Sequence, residues 1–271
     1  MNSKDQIPAP HPQDNILLNA TKLRIGYSKP ELELGPRQGL DFELQSGSLT
    51  AIIGINGVGK STLLRTLAGL QPALGGVVKI LGNESDTLSA RQQARQLSVV
   101  LTNPPASRNL SVRDLIALGR HPYTNWLGQL SALDEQCIAD ALKLTALESL
   151  AQHPCHSLSD GQLQRVLIAR ALAQQTPLVL LDEPTSHLDL HHKVRILKLL
   201  RDISRQPGKA VVFTTHEIDL ALQLCTHMLV LFPDNYAFGT PQELIKSKVL
   251  ESLFPSDSVT FDTVLQRFNI S

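Results

Sequence analysis

Residues 54–61 read GINGVGKS, a G-x-x-x-x-G-K-[ST] spacing carried by Gly54, Gly59, Lys60 and Ser61. Glycines at these places let a loop turn tightly enough for its backbone N–H groups to point at phosphate oxygens. Lys60 can then reach the β- and γ-phosphates of a nucleotide, and the Ser61 hydroxyl can join a Mg²⁺ shell. Thr62, next along, can also bond phosphate. The plain alternative is a glycine-rich turn with an exposed lysine. With glycine near 7% of average composition, a chance match is on the order of one in a hundred. The flanking runs, apolar LTAIIG before and STLLRTLAG after, supply the strand–loop–helix context that this chemistry needs.

Three further clusters carry reactive side chains. LVLLDEP ends an apolar run with Asp182 and Glu183, and ligands of open α/β sheets bind at the carboxyl ends of strands. Asp182 suits a magnesium shell, and Glu183 can polarise an attacking water as general base. Alone, the pair would be solvated acids before a turn at Pro184; beside GINGVGKS the chemical reading prevails. LSDGQLQR (158–165) opens a helix with Ser159 and Asp160 as cap residues; by itself it is an ordinary helix start. His216 closes AVVFTTH, where it could equally cap a buried strand. His187, His191 and His192 read as a solvated surface, and His153, Cys155 and His156 lack a fourth ligand at metal spacing.

The elements that must hold these groups alternate. Strands are predicted over 16–28 and 40–45, joined by a turn-rich KPELELGPRQG, then over 49–54, 77–82 and 97–102, with Ser89 capping a helix between the last two. From about 109 to 174 only helical spacing appears, in SVRDLIALG, LSALDEQCIADALKL, TALESLA and GQLQRVLIARALAQ. Strands return at 177–184, 210–216 and MLVLF, each followed by a helix, the last helix being PQELIKSKVLESLF before a final strand near SVTFDTV. Such alternation implies a parallel sheet with helices on both faces, interrupted by an inserted helical block.

Composition limits the function classes. Over 271 residues, 25 Lys and Arg balance 25 Asp and Glu, which argues against a general nucleic-acid binder. Aromatics are only 4% and apolar residues 42%, so stacking platforms are scarce while a sizeable core is available. No run approaches the ~18 consecutive apolar residues of a membrane span. The proline-bearing residues 1–15 lack an apolar signal core and read as a disordered tail. Three dispersed cysteines, Cys137, Cys155 and Cys225, fit a reducing compartment.

GINGVGKS, LSDGQLQR, LVLLDEPTSHLD and TTHE, in that order, resemble the nucleotide-binding subunits of ABC transporters over roughly residues 16–240. The resemblance implies an α/β P-loop NTPase core: a parallel-sheet ATP-binding subdomain, an N-terminal antiparallel β subdomain and an all-helical subdomain inserted at about 103–174, residues 16–271 forming one domain. It matches Gly54, Ile55, Asn56, Gly57, Val58, Gly59, Lys60, Ser61 and Thr62 to the Walker A loop, and Tyr27 to the aromatic residue that stacks on adenine. Ser159, Gly161 and Gln162 match the signature that contacts the γ-phosphate held by the opposite subunit. Asp182 matches the Walker B aspartate, Glu183 the catalytic glutamate, Asp189 the end of the D-loop and His216 the switch histidine. The implied substrate is ATP with Mg²⁺, and the implied working unit a dimer with two ATP molecules between subunits.

Two departures stand out. Where the family has a glutamine before the helical subdomain, this chain has Thr102 or Asn103, either of which reaches a metal-bound water less far. The signature carries Asp160 where glycine is usual, a carboxylate that weakens phosphate binding unless it points to solvent. SVRDLIALGRHPYTNWLG, above all GRHP (119–122), resembles importer ATPases for iron–siderophore complexes, haem and vitamin B12; Gly119 and Pro122 also read as plain helix punctuation. The implied protein is peripheral on the cytoplasmic face of the cell membrane, docked on a separate permease and served by an external binding protein, with no nucleic-acid partner. The competing classes are a non-transport ABC ATPase acting on nucleic acid or ribosomes, and a weakly hydrolysing regulatory module.

Overall fold

The computed structural model describes residues 15–29, 31–102, 109–253, 259–262 and 267–270. In chain order its main elements are β1 (Ile16–Ser28), β2 (Glu31–Leu34), β3 (Leu40–Gln45), β4 (Leu49–Gly54), α1 (Lys60–Leu67), β5 (Gly75–Ile80), β6 (Asn83–Glu84), α2 (Ala90–Gln96) and β7 (Leu97–Val100). Then come α3 (Val112–Ala117), α4 (Ala132–Leu144), α5 (Asp160–Ala173), β8 (Leu178–Leu181), α6 (Leu190–Ser204), β9 (Ala210–Thr214) and α7 (Ile218–Leu224). The chain closes with β10 (His227–Leu231), β11 (Tyr236–Gly239), α8 (Pro241–Lys246), β12 (Val259–Asp262) and β13 (Arg267–Ile270).

The large sheet runs β11-β10-β4-β9-β8-β7. Its pairs are parallel except the antiparallel edge strand β11. β4, β8 and β9 are buried at every position, as the near-continuous apolar runs require when helices cover both faces. Side chains of β9 alternate between two cores. Val211 and Phe213 join the core under the helical insert, and Ala210 and Val212 the core beneath α1 and the antiparallel sheet. Fully burying one such Val or Phe side chain is worth about 1.5–3 kcal/mol.

β1 pairs antiparallel with β2, β3 and β5, which carries β6. In β3 the pattern is strict, with Leu40, Phe42 and Leu44 inward and alternate residues exposed. The turn-rich stretch between β1 and β3 also contains β2, an edge strand recruited by pairing with β1.

Within the helical insert, Ser111, Ser131 and Ser159 cap α3, α4 and α5, each accepting an N–H bond from three residues on. Buried Arg120 ties the GRHP element down: its Nε donates to Asp134 Oδ1 at 2.7 Å and a terminal nitrogen to the Ala173 carbonyl at 2.7 Å. Gly119 serves close packing rather than a left-handed cap, since a Cβ there would lie 2.2 Å from the Arg170 carbonyl oxygen. The helix expected at TALESLA is a single 3₁₀ turn, Glu148–Leu150, because Ala146 adopts a left-handed φ of 52° and ends α4. Likewise the helix expected over 241–254 breaks: Lys248, at φ 59°, separates α8 from a 3₁₀ turn, Val249–Ser252. The final strand is present as β12, paired with β13. Among the described residues no helix is long and apolar enough to cross a membrane. The tail, but for Asn15, and Asn103 lie outside the described residues.

Candidate functional site

The loop between β4 and α1 is shaped by its glycines. Gly54 has φ 154°, and a Cβ there would come within 2.7 Å of the Leu231 carbonyl oxygen; Gly57 and Gly59 have φ 80° and 109°. No side chain caps α1, so the first N–H groups of the helix, which have no intrahelical acceptor, open into the loop. Val58 is buried and anchors the loop to the core, while Ile55 and Asn56 are exposed on its rim. The buried Lys60 ammonium donates to the Gly54 and Ile55 carbonyls at 2.9 and 3.1 Å. An ammonium has three protons, so one remains for an incoming anion. Burial lowers the Lys60 pKa, and the Glu183 and Asp182 carboxylates oppose that shift. Beside the loop lies a cleft of about 160 Å³ lined by Gly54, Ile55, Asn56, Thr215, His216 and Ile218.

The carboxylates from the end of β8 come to this loop. Ser61 Oγ donates to Asp182 Oδ1 at 2.8 Å. Glu183 Oε1 lies 3.0 Å from His216 Nε2. Thr102 Oγ1 donates to the Asp182 backbone carbonyl at 3.3 Å, so this residue of the altered loop touches the acidic strand end. Tyr27 is 41% exposed and its hydroxyl is 3.3 Å from Thr62 Oγ1, placing an open aromatic face beside the start of α1. Ser61 and Asp182 offer hard oxygen donors from two elements, and Asp182 Oδ2 takes no hydrogen bond from a described residue. That set fits a hydrated Mg²⁺.

Sequence reasoning missed Thr214. Its hydroxyl, fully buried, donates to Asp182 Oδ1 at 2.8 Å and accepts the Glu183 N–H at 2.8 Å. The available signal was a hydroxyl residue at the end of an apolar strand, two places before His216.

The signature residues share no hydrogen bond with this cluster among the described residues. Ser159 and Gln162 bond each other as a reciprocal cap of α5, and among the described residues neither side chain bonds the phosphate loop, the acids or His216. Gly161 packs on the His192 ring, 3.2 Å from where a Cβ would stand. Asp189 caps α6 through the His192 N–H and meets His192 Nδ1, both at 2.9 Å; these bonds, the backbone one foremost, hold its pKa below the ordinary carboxylate range. Asp160 points to solvent in the first turn of α5, where an acid favours the helix dipole. His187 and His191 are exposed, while His192 is half-buried against Asp189.

The chain is similar to several known proteins. The family model described as ABC transporter matches residues 37–186. The achromobactin transport ATP-binding protein CbrD of Dickeya dadantii (strain 3937) is 38% identical over 241 residues, covering 89% of this chain and 88% of that protein. The ferric enterobactin transport ATP-binding protein FepC of Escherichia coli (strain K12) is 33% identical over 238 residues, covering 88% and 86%. A solved chain described as an inward-facing metal-chelate type ABC transporter superposes with a TM-score of 0.76 at 32% identity, covering 89% of each chain. A phosphate-shaped loop, an acidic pair and a histidine brought together on this fold, with these relatives, place the chain in the ABC transporter family as an ATP-binding, ATP-hydrolysing subunit.

Proposed function

We propose that the protein energises import of iron(III)–siderophore complexes, working as a homodimer docked on an integral-membrane permease at the cytoplasmic face of the membrane. An external binding protein would deliver the cargo, and residues 16–271 would act as one ATPase domain. The observation that carries the chemical half is the Glu183 carboxylate beside His216, one residue from the Asp182–Ser61 pair at the phosphate loop. Cargo class rests on the relatives named for achromobactin and ferric enterobactin.

In this reading the loop N–H groups and Lys60 bind the β- and γ-phosphates, and Tyr27 stacks on adenine. Ser61 and, through water, Asp182 hold Mg²⁺, which supplies charge neutralisation on the phosphate oxygens. Glu183 takes a proton from the attacking water and His216 orients that carboxylate. Ser159, Gly161 and Gln162 serve the γ-phosphate of the opposite subunit, and Asp189 ends the D-loop beside them; a role across the dimer suits signature residues that share no hydrogen bond with the local cluster. Thr102 keeps the altered loop in touch with Asp182, favouring a coupled ATPase over a weakly hydrolysing regulatory module.

The test is uptake into vesicles carrying the subunit with its co-purified permease, with ATP hydrolysis read on the same samples. ATP-dependent uptake of iron–siderophore, abolished by Glu183→Gln, is the expected result. Uptake of haem or cobalamin alone would change the cargo. Recovery with nucleic acid or ribosomes and no membrane protein would overturn the transport reading.

A further inference from the structure

We infer that Thr214 is a positioning residue for ATP hydrolysis, its hydroxyl locking the Asp182 carboxylate to the backbone of Glu183. The inference rests on the proposed catalytic roles of those two acids. β9 lies between β4 and β8 in the sheet, with Leu181 paired to Phe213, so Asp182 and Thr214 are the next residues on adjacent parallel strands. A threonine there is fully buried, and its single hydroxyl has two partners. It donates to Asp182 Oδ1 and accepts from the Glu183 N–H, each at 2.8 Å. The same Oδ1 also receives the Ser61 hydroxyl at 2.8 Å. With Oδ1 engaged twice, the carboxylate cannot rotate without breaking both bonds, and Oδ2 is the oxygen left to face a hydrated cation.

The second partner bears on the general base. Glu183 has φ 47°, a left-handed conformation that a residue with a Cβ adopts only when its surroundings impose it. The N–H bond to Thr214 fixes the backbone at the residue that needs this constraint. That turn carries the Glu183 carboxylate to 3.0 Å from His216 Nε2, and His216 itself follows Thr214 by two residues. One hydroxyl therefore sets both the free oxygen of Asp182 and the aim of Glu183. Valine has the same shape but can neither donate to Asp182 nor accept from Glu183.

The experiment compares Thr214→Val, Thr214→Ser and Glu183→Gln for kcat and KM of ATP hydrolysis, for thermal midpoint, and for Mg²⁺ dependence of fluorescent ATP-analogue binding. T214V should lower kcat by about tenfold or more while KM for ATP moves less than about threefold. It should also raise the Mg²⁺ concentration that half-saturates nucleotide binding, a readout independent of turnover. T214S, which keeps both hydrogen bonds, should recover kcat to within about threefold of the wild type. Should T214V fail to fold, Thr214→Ala removes the same hydroxyl without added bulk and is judged by the same readings. An unchanged kcat and Mg²⁺ dependence in the folded variant overturns the inference, as does an equal loss in T214S. Wild-type turnover in Glu183→Gln would instead overturn the underlying assignment of the base.

Discussion

Lys60 and Glu183 sit in one site, and the roles proposed for them act on different quantities. The Lys60 ammonium is buried, and two of its protons are held by the loop carbonyls. In the proposed role its remaining donor and its charge bear on bound phosphate, so Lys60→Ala should weaken ATP-analogue binding by at least about tenfold, read by fluorescence titration. Glu183 lies beyond the loop on His216, and loss of a general base, the role proposed for it, costs typically about 10²–10⁴-fold in rate. Glu183→Gln should therefore retain ATP binding, lose turnover within that range, and accumulate an ATP-bound dimer on gel filtration. Equal binding losses in the two variants would contradict this division of roles. Asp182 and Thr214 are bonded to the same cluster, and their variants should not add independently to Glu183→Gln.

The first turn of α6 joins segments that the chain separates widely. His192 bonds Asp189 and packs on Gly161, tying the end of SHLD to the start of α5. Next to it, Lys193 forms an ion pair with Glu217, the residue after His216. The two side chains are 21% and 36% exposed, so the pair contributes only about 0–1 kcal/mol to stability. Its value is geometric: it fixes α6 against the loop that carries His216. Lys193→Glu should lower kcat severalfold with little change in the urea midpoint, and the exchange Lys193→Glu with Glu217→Lys should restore it. A doubly reversed protein no better than the single variant would show that the pair does not position the histidine.

At the scale of the whole molecule, the two ends of β9 play different parts. Thr214 at the carboxyl end serves the site; Lys209, just before the strand, donates to the Thr176 carbonyl at 2.6 Å. Burial pushes the Lys209 pKa from 10.5 down to about 8. Between those values the folded state binds fewer protons than the unfolded one, so this group makes unfolding free energy rise with pH. The stability of the wild type relative to Lys209→Met should thus increase from pH 8 towards pH 10.5, measured as the difference in urea midpoints at several pH values. A difference independent of pH would mean that Lys209 is not titrating in the fold.

Local patterns alone determined the phosphate loop, the strand–helix alternation, the helical insert and the Ser89 and Ser159 caps, because each depends on neighbours a few residues apart. Edge strands β2, β11 and β13 escaped notice, since short strands with mixed exposure acquire their identity from the partner strand. The breaks at Ala146 and Lys248 were equally hidden, because nothing in the helical spacing forbids a residue that turns left-handed. The acids and the histidine were legible as motifs, and the resemblance implied their meeting, but no local pattern did. The loop follows β4 and the acids follow β8, and what brings them together is the order β4-β9-β8, with a strand from later in the chain inserted between them. That insertion is why Thr214, unremarkable in the sequence, bonds both acids: sheet order, set by packing of long crossovers and not by any local pattern, chose its neighbours.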